Sequence, residues 1–357
     1  MIGAGVVGLC VAWHLQGLGH AVTLIDPDLG GAQAEGSGST AALGLLMAQV
    51  YRRSSGRGWR LRQQSLELWQ TWRRELESRG YVLPWRAGLL QLARDEQELQ
   101  AQQRLAAERQ ARGIPLRLLE RAELEALQPA LPAGALGGLL SPNDGQIDPL
   151  PAMAALLADG QQQGMGALAD RVERLERRPS GAGERWHVQL RSGAAPRFDW
   201  LVLTAGLASP ALLAPLGHQR PQTPVLGQAL ELQLSDTAAD PQGWPGCLSW
   251  GGVNLVPRPG RRLWLGATLE PERSTGGPET LAELRRLGGH APAWLLEATV
   301  VRQWQGLRAR PDGRPAPLLE QLEPGLLLAS GHYRNGVLLA PASAAWVAEQ
   351  ISSQGAA

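Results

Sequence analysis

Apolar positions along this chain switch between two periods, and the switches mark out its elements. Val6 to Gly19 carries apolar residues at helical spacing and predicts a helix, while Ala21 to Ile25 predicts a short buried strand closing on Asp26. Trp59 to Arg79 predicts a long amphipathic helix with Leu61, Leu68, Trp69, Trp72 and Leu76 near helical spacing. Those aromatics read as core rather than as a substrate cage. Gly88 to Leu92 reads as a strand, and Arg94 to Arg112, rich in Gln, Glu and Arg, as a helix whose charges form a solvated face. Asn143 to Pro149 reads as a turn leading into a helix over Leu150 to Gly164. Val172 to Leu175 and Trp186 to Leu190 predict a hairpin around Pro179 to Gly183, and Trp200 to Leu203 a buried strand closing on Thr204-Ala205-Gly206. From Val225 to Leu269, period-2 segments broken by Pro and Gly predict an antiparallel sheet. Leu326 to Ala329 is a last buried strand, followed by a closing helix near Ala342 to Ile351.

Strands of the parallel type thus stand at the start, middle and end, with antiparallel material between. That order predicts a mixed α/β protein: a Rossmann-like domain on a parallel sheet, interrupted by a substrate domain built on an antiparallel sheet with helices. The expected division assigns 1–80, 141–220 and 301–357 to the first and 81–140 and 221–300 to the second. A chain of 357 residues has room for both cores.

The first helix opens on Gly3-Ala4-Gly5-Val6-Val7-Gly8, a G-x-G-x-x-G turn. Gly3 permits the tight turn, Gly5 lets backbone approach a pyrophosphate, and Gly8 lets helix and strand pack closely. The helix N-terminus offers free N–H groups to phosphate. Asp26 lies 18 residues beyond Gly8, where a carboxylate accepts hydrogen bonds from both ribose hydroxyls and repels a 2′-phosphate, so FAD or NAD is expected over NADP. The small residues from Gly30 to Gly44 that follow suit a backbone wrapped round a second phosphate or a flavin ring. Only Met1 and Ile2 stand for the strand that normally precedes the first glycine, so about four to six further apolar residues are expected upstream.

A formal charge of +1 argues against a dominant nucleic-acid or membrane-surface footprint, and no apolar run approaches the roughly 20 residues of a membrane span. A cytoplasmic location is expected. All 34 cationic side chains are arginine, which rules out a Schiff-base lysine, a Walker lysine and a lysine that assists oxygen. The six histidines are scattered without ligand spacing, so no metal is expected. No G-x-S-x-G elbow occurs. Cys10 reads as a small core residue.

Several strings resemble the D-amino-acid-oxidase-like FAD-dependent oxidoreductases nearly end to end, and among them the glycine oxidases of thiamine thiazole synthesis. These are Gly3 to Gly8 with Asp26; Thr40 to Leu45; Asp144-Gly145 with Asp148-Pro149; Thr204 to Gly206; Trp304 to Arg308; Asp312-Gly313; and, most specific, Gly331 to Pro341. The resemblance implies non-covalent FAD, since Cys247 falls outside a flavin-linking context. It places Val6 and Val7 at the pyrophosphate, Asp26 and Pro27 at the ribose, and Val172 at the adenine. Gly38, Ser39, Leu43, Gly44, Leu45 and Gly206 would follow the cofactor, and the backbone of His332, Tyr333, Arg334, Asn335, Gly336, Val337 and Leu338 would lie near the flavin pyrimidine. Arg308 matches the substrate-carboxylate arginine, with Arg334 beside it.

What the resemblance implies is an oxidase of glycine or another small D- or N-methyl amino acid. Hydride leaves Cα for flavin N5, and oxo acid, ammonia and hydrogen peroxide are produced, with molecular oxygen as acceptor and no obligatory side-chain acid or base. Two departures bear on the amine. Asn254 stands where similar glycine oxidases have a tyrosine, and the Arg308 to Asp312 loop is one residue shorter. A D-amino-acid dehydrogenase using another acceptor and a non-catalytic flavoprotein remain alternatives. Oligomeric state stays open, a homo-oligomer included.

Overall fold

The computed structural model describes residues 1–29, 36–178 and 185–355. The expected turn at Pro179 to Gly183 and the Gly30 to Glu35 part of the small-residue stretch lie outside the described residues. Thr23–Asp26 pairs in parallel with Gly166–Ala169, and Leu201–Leu203 in parallel with Leu326–Ser330, which Leu318–Glu323 joins antiparallel. Ile2 stands between the two halves, bridging Ile25 on one side and Leu203 on the other. Its N–H donates to Val202 O at 3.0 Å, and Ile25 N–H donates to Met1 O at 2.9 Å.

Four helices, Val6–Gly17, Gly56–Ser78, Pro149–Gln162 and Gly336–Gly355, pack together on one face of this sheet. Trp13, Trp69 and Trp72 lie in that core, with the Trp13 and Trp72 rings edge to face at 4.9 Å. Cys10 is fully buried there, as the sequence predicts. A three-stranded antiparallel sheet covers the other face, made of Val172–Arg177, Trp186–Leu190 and Arg197–Phe198. Its Leu175, Trp186 and Val188 pack on Ile2, Ile25 and Leu203.

The larger sheet is the expected antiparallel one. Thr299–Pro311 pairs with Gln222–Gln233, after which come Arg262–Gly266, Val253–Arg258, Cys247–Trp250, Trp85–Ala93 and Gly137–Ile147. Two contacts are parallel: Cys247–Trp250 against Trp85–Ala93, and Gly36–Ser37 against Gly306 and Leu307. Pro278–Arg286 and Ala293–Glu297 cover one face through Leu281, Leu284 and Leu295. The expected domain boundaries at 141 and 301 fall inside Gly137–Ile147 and Thr299–Pro311.

Three local expectations are corrected. Asn143 to Pro149 is not a free turn: Gly137–Ile147 runs through most of it, and Gly145 pairs with both Leu46 and Ala87. The turn-forming Asp144 is fully buried, and its carboxylate accepts N–H from Ala48 at 2.8 Å, Gln49 at 2.9 Å and Val50 at 3.0 Å. Arg109, on the helix Glu96–Gln110 expected to present its charges to water, is fully buried. Its guanidinium donates to Gln49 O, Tyr51 O, Arg53 O and Ser54 Oγ and stacks over Trp59. The closing helix starts at Gly336, ahead of Ala342, and runs through Pro341. Proline gives Val337 O no donor, and the Trp69 indole N–H takes that carbonyl at 2.8 Å instead.

Two buried ionic groups, Asp144 and Arg109, therefore hold the segment from Ala48 to Ser54. Burial pushes the Asp144 carboxyl up to about 6, against the pull of its three N–H donors. Its folded value exceeds the usual carboxylate value, so ionisation opposes folding. The contribution of this group is fully present below about pH 4 and is lost as pH rises through about 6. The stability advantage of wild type over Asp144→Asn, followed by thermal melts, is therefore expected to be larger at pH 4 than at pH 7.

Candidate active site

The turn after Ile2 is built as the spacing predicts. Gly3 takes a left-handed φ of 106°, and a Cβ on Gly8 would stand 1.8 Å from Gly3 O. Thr204 Oγ1 lies 2.9 Å from both Ile2 O and Gly3 O, tying the turn to the neighbouring strand. By helix geometry the first-turn N–H groups have no intrahelical acceptor, and the N-cap Gly5 supplies no side chain. Ser39 Oγ accepts the Val6 N–H at 3.1 Å. Asp26 Oδ2 accepts the Ala4 N–H at 2.7 Å, and its Oδ1 accepts the Asp28 N–H at 2.8 Å.

From this turn a single cavity of about 720 Å³ runs to the larger sheet. Its walls bring together Gly5, Val6, Val7, Gly38, Ser39, Leu43, Gly44, Leu45, Gly206, Arg308 and the whole run His332 to Leu338. Gly3, Gly8, Asp26, Pro27 and Val172 do not line it. Gly3 and Gly8 shape the turn behind the wall, and Val172 opens a strand of the three-stranded sheet. The walls touch at Gly306, where a Cβ would fall 2.6 Å from Ser37 O. A helix start with glycine at its N-cap, a glycine-lined cleft and a volume in the range of cofactor sites fit the flavin dinucleotide that the resemblance implies.

The charge of the cavity is one-sided. Tyr51, Arg52, Arg62, Arg308, His332, Tyr333 and Arg334 line it, and no carboxylate does among the described residues. Arg308 projects from Thr299–Pro311, opposite Val225. Its Nη1 donates to Leu226 O at 3.1 Å and Thr268 O at 3.2 Å, and no acid lies within ion-pair reach among the described residues. Burial, and then Arg334, push its pKa down from the ordinary arginine value. A guanidinium so placed has its geometry fixed by carbonyls while no acid pairs with it directly, an arrangement suited to a carboxylate.

His332 is buried, and burial pushes it down to about 3, with Arg57 adding to the effect. It is therefore neutral near pH 7. Ser343 Oγ spends its one hydrogen on Leu339 O at 2.8 Å, so His332 Nε2 carries the proton in their 2.8 Å contact. A histidine held this way is a poor proton acceptor.

Several of these features gave little signal in the sequence. Tyr51, with Arg62 stacked 3.9 Å over its ring, reaches the cavity only because Asp144 and Arg109 hold its loop. Gly227 is read as an ordinary strand residue, yet a Cβ there would meet Arg308 Nη2 at 2.1 Å. Asn254, singled out as a departure, lines the cavity with its Oδ1 buried and unpartnered. Gly227→Ala is expected to displace the guanidinium and weaken binding of a carboxylate ligand roughly tenfold or more, while the melting temperature and FAD content stay near wild type. Calorimetric titration with a carboxylate competitor checks this, and unchanged affinity would show that the guanidinium does not depend on that glycine.

The family profile described as DAO, FAD dependent oxidoreductase, matches residues 1–350. The chain is 29% identical to the glycine oxidase of Geobacillus kaustophilus (strain HTA426), over 98% of its own length and 92% of that protein's. It is 31% identical to the bifunctional protein ThiO/ThiG of Nostoc sp. (strain PCC 7120) over 99% of its length, and spans 52% of that longer protein. Its fold is similar to the crystal structure of glycine oxidase from Geobacillus kaustophilus with a TM-score of 0.86, at 26% identity, covering 99% of this chain and 93% of that one. Among the described residues no helix is long and apolar enough to cross a membrane. Motif, cavity and profile agree, and the chain belongs to the DAO family of FAD-dependent oxidoreductases.

Proposed function

We propose that this enzyme oxidises glycine or another small D- or N-methyl amino acid to its imine, releasing oxo acid and ammonia, with oxygen as acceptor and hydrogen peroxide as co-product. We further propose that the product serves thiamine thiazole formation, which the likeness to the ThiO/ThiG protein supports. One observation carries the reading: Arg308, a cation without an acid partner, in the wall of a cavity that no carboxylate lines among the described residues. FAD, when bound, supplies the hydride acceptor. Arg308 holds the substrate carboxylate by charge-assisted hydrogen bonds and so fixes which Cα–H is presented. Arg334, exposed at the same wall, adds positive potential. Neutral His332 neither takes nor gives a proton near pH 7, so the amine reacts when it arrives neutral.

Non-covalent FAD, the contacts expected of Val6, Val7, Asp26, Pro27, Val172 and His332 to Leu338, and the division at 1–80, 141–220 and 301–357 belong to the same proposal. Asp26→Ala would free the Ala4 N–H and remove the ribose acceptor, a cost of about 1–3 kcal/mol, so FAD affinity is expected to fall roughly 5- to 150-fold. FAD retained as in wild type through gel filtration would reject ribose binding by Asp26.

Arg308→Ala is expected to lower kcat/KM for glycine roughly 30- to 5000-fold with FAD content unchanged, and Arg308→Lys to restore only part of it. An amine lacking the carboxylate should react equally with wild type and Arg308→Ala. Equal losses on both amines would make Arg308 structural. Anaerobic bleaching of the flavin by glycine, sarcosine, D-alanine or D-proline tests the reaction itself. Bleaching by none would leave a non-catalytic flavoprotein, and dye reduction without peroxide a dehydrogenase.

A further inference from the structure

Arg308 leans on the carbonyl of Thr268, and what fixes that carbonyl lies on the far side of a strand. Val225 of Gln222–Gln233 pairs with Arg308, and on the strand's other edge Leu226 pairs with Glu270. We infer that Glu270 is a positioning residue for the substrate-carboxylate arginine: it holds Thr268 so that the Thr268 carbonyl meets the Arg308 guanidinium. The inference rests on the amine-oxidase reading for what Arg308 binds, and on the hydrogen bonds behind Thr268 for how the arginine is held.

Thr268 is engaged through every polar atom. Its N–H donates to Gln228 O at 3.0 Å, its Oγ1 accepts the Gln228 N–H at 2.8 Å, and the hydroxyl donates to Glu270 Oε1 at 2.6 Å. The Gln228 side-chain amide donates to the same carboxylate oxygen at 2.8 Å. Thr268 O is left for Arg308, whose Nη1 donates to it at 3.2 Å. Thr268, Gln228 and Glu270 are all buried, and a Cβ on Gly276 would fall 1.9 Å from Gln228 Cδ. So close a cover leaves little room for water to replace a lost partner.

Charge supports the same role. Glu270 is nine-tenths buried, and its ion pair among the described residues is with Arg273, 3.4 Å away and 62% exposed, a contact of little strength. Burial alone would raise the Glu270 carboxyl, but the hydrogen bonds from Thr268 and Gln228, together with Arg273, bring it below the usual carboxylate value, so it is ionised near pH 7. Burial and then Arg334 push the Arg308 pKa down, and Glu270 works against both from beyond ion-pair reach. A carboxylate at that remove steadies the guanidinium and leaves its face open to a ligand.

The test reads the preference of the FAD-loaded protein for methoxyacetate over methoxyacetamide, its neutral counterpart, each titrated by calorimetry. General damage to the cavity would weaken both ligands together and leave the ratio of affinities alone. Thr268→Val removes the hydroxyl, keeps the side-chain shape, and is expected to lower the ratio about tenfold. Glu270→Gln keeps an acceptor for both donors and removes only the charge, so its ratio is expected to stay at or above that of wild type. Glu270→Ala removes charge and acceptor together and should fall about tenfold below Glu270→Gln. A wild-type ratio in Thr268→Val, or equal ratios in Glu270→Gln and Glu270→Ala, overturns the inference. Arg308→Ala and glycine bleaching, measured alongside, separate the layers. A ratio lost in Arg308→Ala alone rejects the role of Glu270 and keeps Arg308 as the anchor. The expected set of ratios, with bleaching by no amine, keeps the role of Glu270 and rejects the oxidase.

Discussion

A half-buried cation held by carbonyls, with no acid in ion-pair reach among the described residues, is the constraint that organises this molecule. The Arg308 guanidinium rests on Leu226 O and Thr268 O, and the space it fills exists only because residue 227 has no side chain. Removing a charge from water without pairing it is costly, and proteins keep such groups where a ligand completes them. The cost here is lowered by fixed dipoles and by Glu270 acting from beyond ion-pair reach, so no carboxylate occupies the place a ligand would take. The register of the larger sheet, which sets Arg308 opposite Val225 and Gly306 opposite Gly227, therefore serves the cavity as much as the fold.

The second wall comes from the smaller sheet, and its requirements are those of a tight glycine turn. Gly3 turns the chain after Ile2, Gly8 lets the first helix press on that turn, and the helix opens toward the cavity behind a glycine N-cap. The two walls meet where Gly306 and Leu307 pair with Gly36 and Ser37. The strand that carries Arg308 thus also touches the segment leading to Ser39, whose hydroxyl accepts the Val6 N–H. Backbone contact within one strand pair thereby joins the helix start to the strand that carries Arg308.

Local pattern exposed the parts of this design that are local. The glycine spacing, the apolar strands, the antiparallel stretch from Val225 and the core role of Trp69 and Trp72 are all fixed by neighbours in sequence, and the structure has them. Arg308 stood out only through the strings around it, because composition alone makes one arginine look like any other in a lysine-free chain. What stayed hidden depends on partners far along the chain. Asp144 looks like a turn residue until its three N–H donors at Ala48 to Val50 are seen, and Arg109 looks solvated until the carbonyls it meets are. Pro341 hides the true start of the last helix because an indole more than two hundred residues away takes the carbonyl it leaves. Gly227 carries no signal at all without the arginine above it.

The most direct measurement is a crystal structure of the FAD-loaded protein with a small carboxylate competitor that lacks the amine. The account predicts a carboxylate paired to the guanidinium of Arg308 by two parallel hydrogen bonds, with Gly227 beneath the guanidinium and Arg334 at the rim. A competitor bound at Arg334 or elsewhere, with Arg308 still engaged only by the Leu226 and Thr268 carbonyls, would contradict it.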